Sequence, residues 1–350
     1  MPKSLPLIPT PRHLVFSLRR PVSSTRPDPP NPTLTLTQNT QMANPQTHMP
    51  ISSNYPIPLS PPLPLISKDI ELRRAMTASS RSGLWSIGRG DVVFEDEWLV
   101  VVNKKAGVYC ERVLGSVVES RGEGFGSYGN PALPPEFHLA NRLDRDTSGV
   151  LVITKSHKVA AKLVQAFTDH KVQKTYVALC VGTAPMWDKL RLRSGHGRSK
   201  HGVWRVYAAS DVGRMLPNGS TVKNMETSFE VLRVNGQGKF KKMSGCPEDE
   251  EKVIFAEEKS EIRAREMKDE ILVRAFPRSG KTHQIRLHCQ YLGMPIKGDV
   301  KYEGIHEWEG KICEGHCLHA ESLAFEHPVT HLPLLIEAPL PSWVSEAFEP

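Results

Sequence analysis

The stretch that decides the fold is HLANRLDRDTSGVLVI, residues 138–153. It places two arginines, Arg142 and Arg145, around Asp144, adds a second carboxylate at Asp146, and then runs through small residues into an apolar segment. A carboxylate at the entrance to a buried strand stays ionised only if cations or hydrogen-bond donors replace its lost hydration. The stretch therefore indicates either a polar site or, as the alternative, a solvated turn with weak surface ion pairs.

The size and charge of the chain set limits on its partners. Its 350 residues are enough for one large domain or two smaller ones. No apolar run is long enough to cross a membrane, so no membrane partner is expected. The net charge is +7, of which residues 1–41 contribute +4 and the remainder only +3. An RNA partner would therefore bind a local basic surface rather than respond to the overall charge.

The N-terminal segment differs in composition from the rest of the chain. Residues 1–65 contain 16 of the 29 prolines and little periodicity, which predicts disorder. The first 27 residues are rich in Ser, Thr, Pro and Arg and lack acids, a composition that resembles an organellar transit segment. Localisation to a chloroplast or mitochondrion follows if residues 1–41 are such a segment. If Met42 is the working start, cytoplasm or nucleus is expected.

Hydrophobic periodicity predicts more strand than helix after this segment. Residues 66–90 are predicted as a linker with a short helix opened by Ser67, and further helices are predicted after Ser156 and over 282–292. The stretch 115–135 is predicted as a loop, and 236–251 as a mobile hairpin or insertion. Strands are predicted at 92–94, 98–102, 150–154, 173–181, 203–209, 227–234, 253–255, 271–276, 319–325 and 334–337.

Residues 275–284, AFPRSGKTHQ, nearly match a phosphate-binding P-loop. Against that hypothesis, the loop has a single glycine, and Pro277 lacks one of the N–H groups that would bind phosphate. If a helix instead begins near Thr282, then His283 and Arg286 lie in its first turns, where the helix dipole favours an anion. A carboxylate or an RNA phosphate would suit that position.

The six cysteines are scattered, which argues against a disulfide scaffold and favours a reducing compartment. Cys313, His316, Cys317 and His319 form one local cluster of metal-binding residue types. A structural zinc site needs a second cluster, and the sequence has none. No metal and no cofactor are therefore predicted.

Both charged stretches are similar to motifs of one enzyme family. HLANRLDRDTSGVLVITKS resembles the HRLDRDTSGLL signature of the RluA-like RNA pseudouridine synthases, and GKTHQIRLHCQYLGMPIKGDVKY resembles their second long motif. Three shorter blocks follow the family order, namely LVVVNKKAG at 99–107, KTYVAL at 174–179 and CLHAESLAFEHP at 317–328. The chain departs from the family pattern at Asn141, Lys105 and Lys281, and none of these departures removes a catalytic group.

The resemblance implies roles for particular residues. Asp144 matches the essential carboxylate, Arg286 the arginine that pairs with it, and Tyr176 the active-site tyrosine. Arg142 matches the arginine that fills the space left when the target base is flipped out of its stack. Lys104, Lys174, Lys281 and His283 are the predicted RNA-binding residues around them.

The resemblance also implies the fold and the activity. It predicts a mixed α/β (α+β) catalytic domain over residues 91–345, built on a long, largely antiparallel sheet flanked by helices. The expected activity is isomerisation of uridines in rRNA, tRNA or another structured RNA, by a monomer that needs no small-molecule cofactor. The alternatives are a catalytically silent RNA-binding relative and a P-loop nucleotide hydrolase.

Overall fold

The computed structural model describes residues 55–82, 84–120, 136–238, 251–259 and 269–347. These ranges belong to one compact unit. Three predictions lie outside them in whole or in part, namely the disorder and transit segment of residues 1–54, the loop at 121–135 and the insertion at 239–250.

Short helices surround a large sheet. The helices are α1 (Ser67–Ser82), α2 (Cys110–Glu119), α3 (His157–Thr168), α4 (Gln284–Tyr291) and α5 (Ser342–Glu346). The strands are β1 (Val92–Glu95), β2 (Leu99–Lys104), β3 (His138–Leu139), β4 (Ser148–Thr154), β5 (Gln173–Gly182), β6 (Lys189–Arg198), β7 (Trp204–Tyr207), β8 (Lys223–Val234), β9 (Gln237–Gly238), β10 (Lys252–Phe255), β11 (Asp269–Pro277), β12 (Glu307–Trp308), β13 (Lys311–Ile312), β14 (Leu318–Glu326) and β15 (Pro333–Glu337). None of the helices in the described ranges is long and apolar enough to cross a membrane.

Within the described residues, thirteen strands form one sheet. Its order is β1-β2-β4-β14-β5-β11-β8-β6-β10, with β15 on β14, β3 on β4, β7 on β6 and β9 on β8. The pairs β4–β14 and β6–β10 are parallel, and the other pairs are antiparallel. Every predicted strand overlaps an observed one. The predicted α/β fold with a long, largely antiparallel sheet is confirmed.

The apolar end of the first motif forms β4, which is buried along its whole length. Because successive side chains of a strand point to opposite faces, Val152 packs near Leu163 of α3 on one face. Leu151 packs near Val113 of α2 on the other face. The two helices therefore cover both faces of β4 and fix where the preceding charged loop leaves the sheet.

The helix predicted after Ser156 is α3. The Ser156 hydroxyl accepts a hydrogen bond from the backbone N–H of Val159 at 3.3 Å, which satisfies one of the free donors at the helix start. The helix predicted over 282–292 is shorter at both ends. It begins at Gln284 because His283 adopts a left-handed backbone conformation, with φ of 58°.

Several observed elements were not predicted from the sequence, among them α2, α5 and β6. The predicted loop at 115–119 is the second half of α2, whose Val113 and Val117 are buried at helical spacing. Strand β6 is new, and its alternation of buried Leu190 and Leu192 with charged residues is a strand signal that the sequence does contain.

The predicted disorder ends too late, because residues 55–65 pack on the folded unit. The backbone N–H of Leu59 donates to the carbonyl of Val206 in β7 at 2.8 Å. Leu59 and Leu63 pack against a buried cluster that includes Val206 and Leu287. Prolines exclude a helix here, but they permit an extended segment held beside a strand.

The predicted linker at 66–90 is also more structured than expected. Helix α1 spans 16 residues, and its Ile70 and Ala78 are buried. The folded unit therefore begins before the predicted boundary at residue 91.

Candidate active site

An open cleft of about 1040 Å³ crosses the sheet where the two long motifs meet. Seven of the eight sequence-predicted site residues line it, namely Arg142, Asp144, Lys174, Tyr176, Lys281, His283 and Arg286. The eighth, Lys104, does not. Residues that are far apart in sequence are thus brought together by the pairing of β4, β14, β5 and β11.

Asp144 lies in the loop that enters β4. The loop is tightened by a hydrogen bond from the Thr147 N–H to the Asp144 carbonyl at 3.2 Å. Gly149 follows with φ of 109°, and a Cβ at that position would lie 2.1 Å from the carbonyl oxygen of Ala320 in β14. A glycine is therefore required for β4 and β14 to approach so closely.

The Asp144 carboxylate is paired and yet open to the cleft. Its Oδ2 accepts a hydrogen bond from Nη1 of Arg286 at 2.7 Å, and its Oδ1 lies 3.8 Å from Nε2 of His283. The side chain retains 30% exposure. Burial by itself would raise the pKa of Asp144, but the charge of Arg286 and its hydrogen bond outweigh burial and hold this pKa well below its usual range. Asp144 is therefore ionised at neutral pH.

Arg286 projects from α4 and is held on its other edge by Asp299. Its Nε and Nη2 donate to the two carboxylate oxygens of Asp299 at 2.7 and 2.8 Å. The guanidinium carbon lies 5.0 Å from the ring centre of Tyr302. Burial disfavours the charge, but Asp299 and Asp144 raise the pKa of Arg286 well above its usual value. The result is a fixed cation that points one N–H group at Asp144.

Asp299 and Tyr302 were missed as site residues by the sequence analysis. Both lie in the GDVKY end of the second motif, so the signal was present, but nothing in the local pattern assigned them a partner. Asp299 is 1% exposed. An acidic residue shortly after the buried residues Met294 and Ile296 is the feature that would have revealed a buried ion pair.

His283 does not sit in the first turn of a helix, as predicted, but just before it. Its Nδ1 is hydrogen bonded to the hydroxyl of Tyr302 at 2.7 Å. Burial, followed by the nearby charge of Arg286, lowers the pKa of His283 to about 3. His283 is therefore neutral, and its Nε2 lies beside the Asp144 carboxylate.

Tyr176 lies on β5 between two small neighbours. Its register partners are Ala275 on β11 and Ala320 on β14, which leave room for the ring. Lys174 and Tyr176 both line the cleft, as the predicted strand register requires. Burial, followed by the charge of Asp144, raises the pKa of Tyr176 above its usual value, so the phenol stays protonated.

The model of the family described as RNA pseudouridylate synthase matches residues 98–291. The chain is also 58% identical over 298 residues to "RNA pseudouridine synthase 1" of Oryza sativa subsp. japonica, a match that covers 84% of this chain and 85% of that protein. The chain belongs to the RNA pseudouridylate synthase family.

Two further relatives agree with this assignment. "RNA pseudouridine synthase 1" of Arabidopsis thaliana is 57% identical over 302 residues, covering 84% of this chain and 88% of that protein. "Ribosomal large subunit pseudouridine synthase C" of Escherichia coli O6:H1 is 31% identical over 264 residues, covering 71% of this chain and 66% of that protein. The resemblance to the RluA-like enzymes is confirmed. Pseudouridine synthases are isomerases that convert uridine in RNA to pseudouridine, and RNA is the substrate on which they act.

The basic residues of this pseudouridine synthase are placed differently from one another. The Nζ of Lys174 donates to the carbonyl of Ser279 at 3.0 Å, and burial, followed by the charge of Lys281, lowers the pKa of Lys174 to about 8. Arg142 lies at the rim of the cleft, 71% exposed, and its Nη1 is 2.7 Å from Oε1 of Glu111.

Lys104 is placed where RNA cannot reach it. Its side chain is fully buried, and its Nζ donates to the carbonyls of Lys105, Val108 and Arg145 at 3.0, 2.7 and 2.8 Å. The prediction that Lys104 contacts an RNA phosphate is therefore not supported by its position. Instead, Lys104 ties the end of β2 to the loop that carries Asp144.

The P-loop hypothesis is not supported by the comparisons, and the local structure accounts for the misleading pattern. The side-chain oxygen of Gln284 accepts hydrogen bonds from the Lys281 N–H at 3.0 Å and from the Ser279 hydroxyl at 2.7 Å. The Arg278 N–H donates to the Glu226 carbonyl at 3.0 Å. Two of the loop N–H groups that would bind phosphate are thus already bonded within the protein.

The two histidines of the cluster at residues 313–319 have partners in the fold. Nε2 of His316 is hydrogen bonded to the Thr147 hydroxyl at 2.7 Å, and Nδ1 of His319 is hydrogen bonded to the Ser148 hydroxyl at 2.8 Å. Among the described residues, no group of three or more His, Cys, Asp or Glu side chains is arranged to hold a metal ion. These histidines join β14 and the segment before it to the start of β4.

Proposed function

We propose that the cleft converts a flipped-out uridine of RNA to pseudouridine, with Asp144 as the reacting carboxylate. The observation that carries the proposal is the chain of contacts Asp144–Arg286–Asp299. Because Asp299 holds one edge of the Arg286 guanidinium through Nε and Nη2, Nη1 on the opposite side keeps Asp144 ionised and oriented, while the Asp144 side chain stays open to the cleft.

The reaction is an intramolecular exchange of bonds. The N1–C1′ glycosidic bond breaks, the base turns, a C5–C1′ bond forms, and the hydrogen on C5 leaves as a proton while N1 gains one. No electron and no chemical group enters or leaves. An ionised carboxylate is suited to act on the ribose or on the base in such a reaction, and the charge and exposure of Asp144 support this role.

Two side chains would handle the base itself. We assign Tyr176 to stack on the flipped uracil, since its ring lines the cleft. Its protonated phenol can donate a hydrogen bond there but cannot accept the C5 proton. We assign Arg142 to the gap left in the RNA stack, because among the described residues its exposed guanidinium is held by a surface ion pair with Glu111, which is a weak contact.

Two lysines would contact the RNA backbone. Lys174 and Lys281 lie along the same side of the cleft as Ser279 and Gly280, and the charge of Lys281 acts on Lys174. Two neighbouring cations bind a phosphate well because each offsets the charge of the same group. His283, which is neutral and bound to Tyr302, would instead shape the floor of the cleft.

The enzyme would work as a monomer without a small-molecule cofactor. This chain by itself supplies the carboxylate, the arginine and the tyrosine that we assign to the reaction, and an isomerisation needs no donor of electrons or groups. The check is to measure activity in excess EDTA together with mass by light scattering. Loss of activity in EDTA, or activity confined to a dimer fraction, would contradict this part of the proposal.

The main experiment uses unmodified transcripts of large-subunit ribosomal RNA and of transfer RNAs, labelled with tritium at C5 of uridine. Formation of the C5–C1′ bond releases that tritium to water, so the purified full chain is expected to release it and to yield pseudouridine on nucleoside analysis. RNA retention on a filter without tritium release from any transcript would support the silent RNA-binding alternative and would overturn the proposal.

A further inference from the structure

Helix α1 lies outside the residues that the family model matches, yet it contacts both loops of the active site. Its Ile70, Arg74 and Ala78 are spaced four residues apart and so share one face of the helix. Ile70 and Ala78 are 4% and 6% exposed, and the Arg74 side chain is 9% exposed. This face therefore packs on the domain, while the neighbouring Arg73 is exposed to solvent.

Arg74 binds the loop that carries Asp299. Its Nη1 donates to the carbonyl of Gly298 at 2.8 Å, and its Nη2 donates to the carbonyl of Cys313. Gly298 directly precedes Asp299 in the chain, and a Cβ on Gly298 would lie 2.0 Å from the carbonyl oxygen of Gly315. One guanidinium thus joins two backbone segments that are already in close contact beside the Asp299 carboxylate.

Glu71 reaches the other loop from the same helix. Its Oε2 lies 3.6 Å from Nη2 of Arg145, the residue that directly follows Asp144. Its Oε1 lies 3.7 Å from Nη1 of Arg74. Helix α1 is therefore connected to both sides of the Asp144–Arg286–Asp299 chain.

We propose that α1 is a brace of the active site, in which Arg74 is a positioning residue that holds the Asp299 loop while Glu71 ties it to the Asp144 loop. This inference rests on the proposed function of the cleft. Arg74 does not line the cleft. It acts through Asp299, which fixes the direction of Arg286 toward Asp144.

The brace should affect turnover more than RNA binding. Misplacing a catalytic group by about 1 Å costs roughly 100-fold in rate. A loop that loses the two hydrogen bonds from Arg74 is expected to move by a comparable distance. Arg142, Lys174 and Lys281 are not contacted by α1 in the described structure, so the contacts that we assign to RNA would remain.

The test compares Arg74→Ala with Arg73→Ala in the full chain. Arg73 is the matched control because it is the same residue type on the exposed side of the same helix, bonded only to the carbonyl of Asp69. We expect Arg74→Ala to lower kcat by roughly 10- to 100-fold with KM within about twofold, and Arg73→Ala to leave both unchanged. Rates are measured well below the melting temperature of each variant, so that the folded fraction is equal.

Two further variants separate a brace from a general loss of stability. Arg74→Lys keeps one donor group and should recover part of kcat. Arg74→Ala added to Asp299→Asn should lower kcat less than Arg74→Ala alone does in the wild type, because both act on the same guanidinium. Additive losses, or a lower melting temperature with unchanged kcat, would overturn the brace. An inactive wild type would instead overturn the proposed function.

Discussion

Two carboxylates of the first motif, Asp144 and Asp146, stand two residues apart and have opposite surroundings. Asp144 is 30% exposed in the cleft and pairs with Arg286, which lies 142 residues away in the chain. Asp146 is 6% exposed, and its two carboxylate oxygens accept hydrogen bonds from Nε and Nη2 of the adjacent Arg145 at 2.6 and 2.7 Å. Two aspartates of one loop thus differ: we assign Asp144 to the reaction and Asp146 to holding the shape of the loop.

The difference follows from where each partner comes from. A pair formed by neighbours, such as Arg145 and Asp146, fixes the shape of the loop and needs no other element. A pair formed across the fold, such as Asp144 and Arg286, joins the loop to α4 and exists only once β4, β5 and β11 are assembled. We place the proposed reaction at the long-range pair, because the carboxylate of Asp144, unlike that of Asp146, remains open to the cleft.

The largest effect is expected from Asp144→Asn. The amide keeps the shape of the side chain but removes the negative charge, so pseudouridine formation should fall by at least about 10⁴-fold. Arg286 stays paired with Asp299, so the free energy of unfolding should fall by only about 1–2 kcal/mol. Initial tritium-release rates and urea unfolding check the two parts. Activity within tenfold of wild type would remove Asp144 from the chemistry.

Asp146→Asn should show the reverse, a large loss of stability and a small loss of activity. It leaves the partly buried Arg145 guanidinium opposite a neutral amide, and breaking such an ion pair costs about 3–5 kcal/mol. The urea midpoint should fall with the m-value unchanged, and activity per folded molecule should fall far less than in Asp144→Asn. If Asp144→Asn were the more destabilising of the two, the division into reactive and structural sides would be wrong.

The next effect is a loss of stability in acid through His316, which lies beside both carboxylates. Burial, followed by the charge of Arg286, lowers the pKa of His316 to about 4. An unfolded histidine has a pKa of about 6.5, so between these values the unfolded chain binds a proton that the folded chain does not. Stability therefore falls as pH drops from about 6.5 to 4, by about 3 kcal/mol for this residue alone.

Urea unfolding at several pH values measures that slope. His316→Gln should remove its share of the acid loss, and the exposed His201→Gln serves as the control and should leave the slope unchanged. The lowered pKa values of Asp144 and Asp146 also make the free energy of unfolding fall in acid, but at lower pH than for His316. Their stabilisation is present above about pH 3.9 and is lost below it. An identical slope in His316→Gln would contradict the prediction.

The smallest effect on stability is expected from Arg142→Ala, because an exposed pair such as Arg142–Glu111 contributes about 0–1 kcal/mol. Its effect on activity should depend on the RNA. Roughly tenfold loss is expected when the target uridine is stacked in a helix, since unstacking costs a few kcal/mol, and less when it lies in an open loop. Glu111→Ala, which frees Arg142, is the control. Equal losses on both RNAs would contradict the assigned role.

Predictions from the sequence were correct where a feature depends only on residues that are close together in the chain. The Ser156 cap and the shared face of Lys174 and Tyr176 were predicted because each depends on residues only a few positions apart. The same local view failed for Lys104. A lysine beside a glycine turn is usually solvated, but here the chain closes over it and supplies three carbonyl acceptors.

The sequence by itself determined the family, the sheet of alternating strands and the two motifs that hold the charged residues, because these depend on residue type and order. Only the tertiary structure decided which carboxylate is open, because exposure depends on elements that arrive from elsewhere in the chain. Asp144 and Asp146 have the same side chain, but Asp144 is paired with the distant Arg286, which Asp299 holds, and Asp146 with its neighbour Arg145. Helix α1, which the sequence predicted only as a short helix in a linker, contacts the Asp299 and Asp144 loops for the same reason.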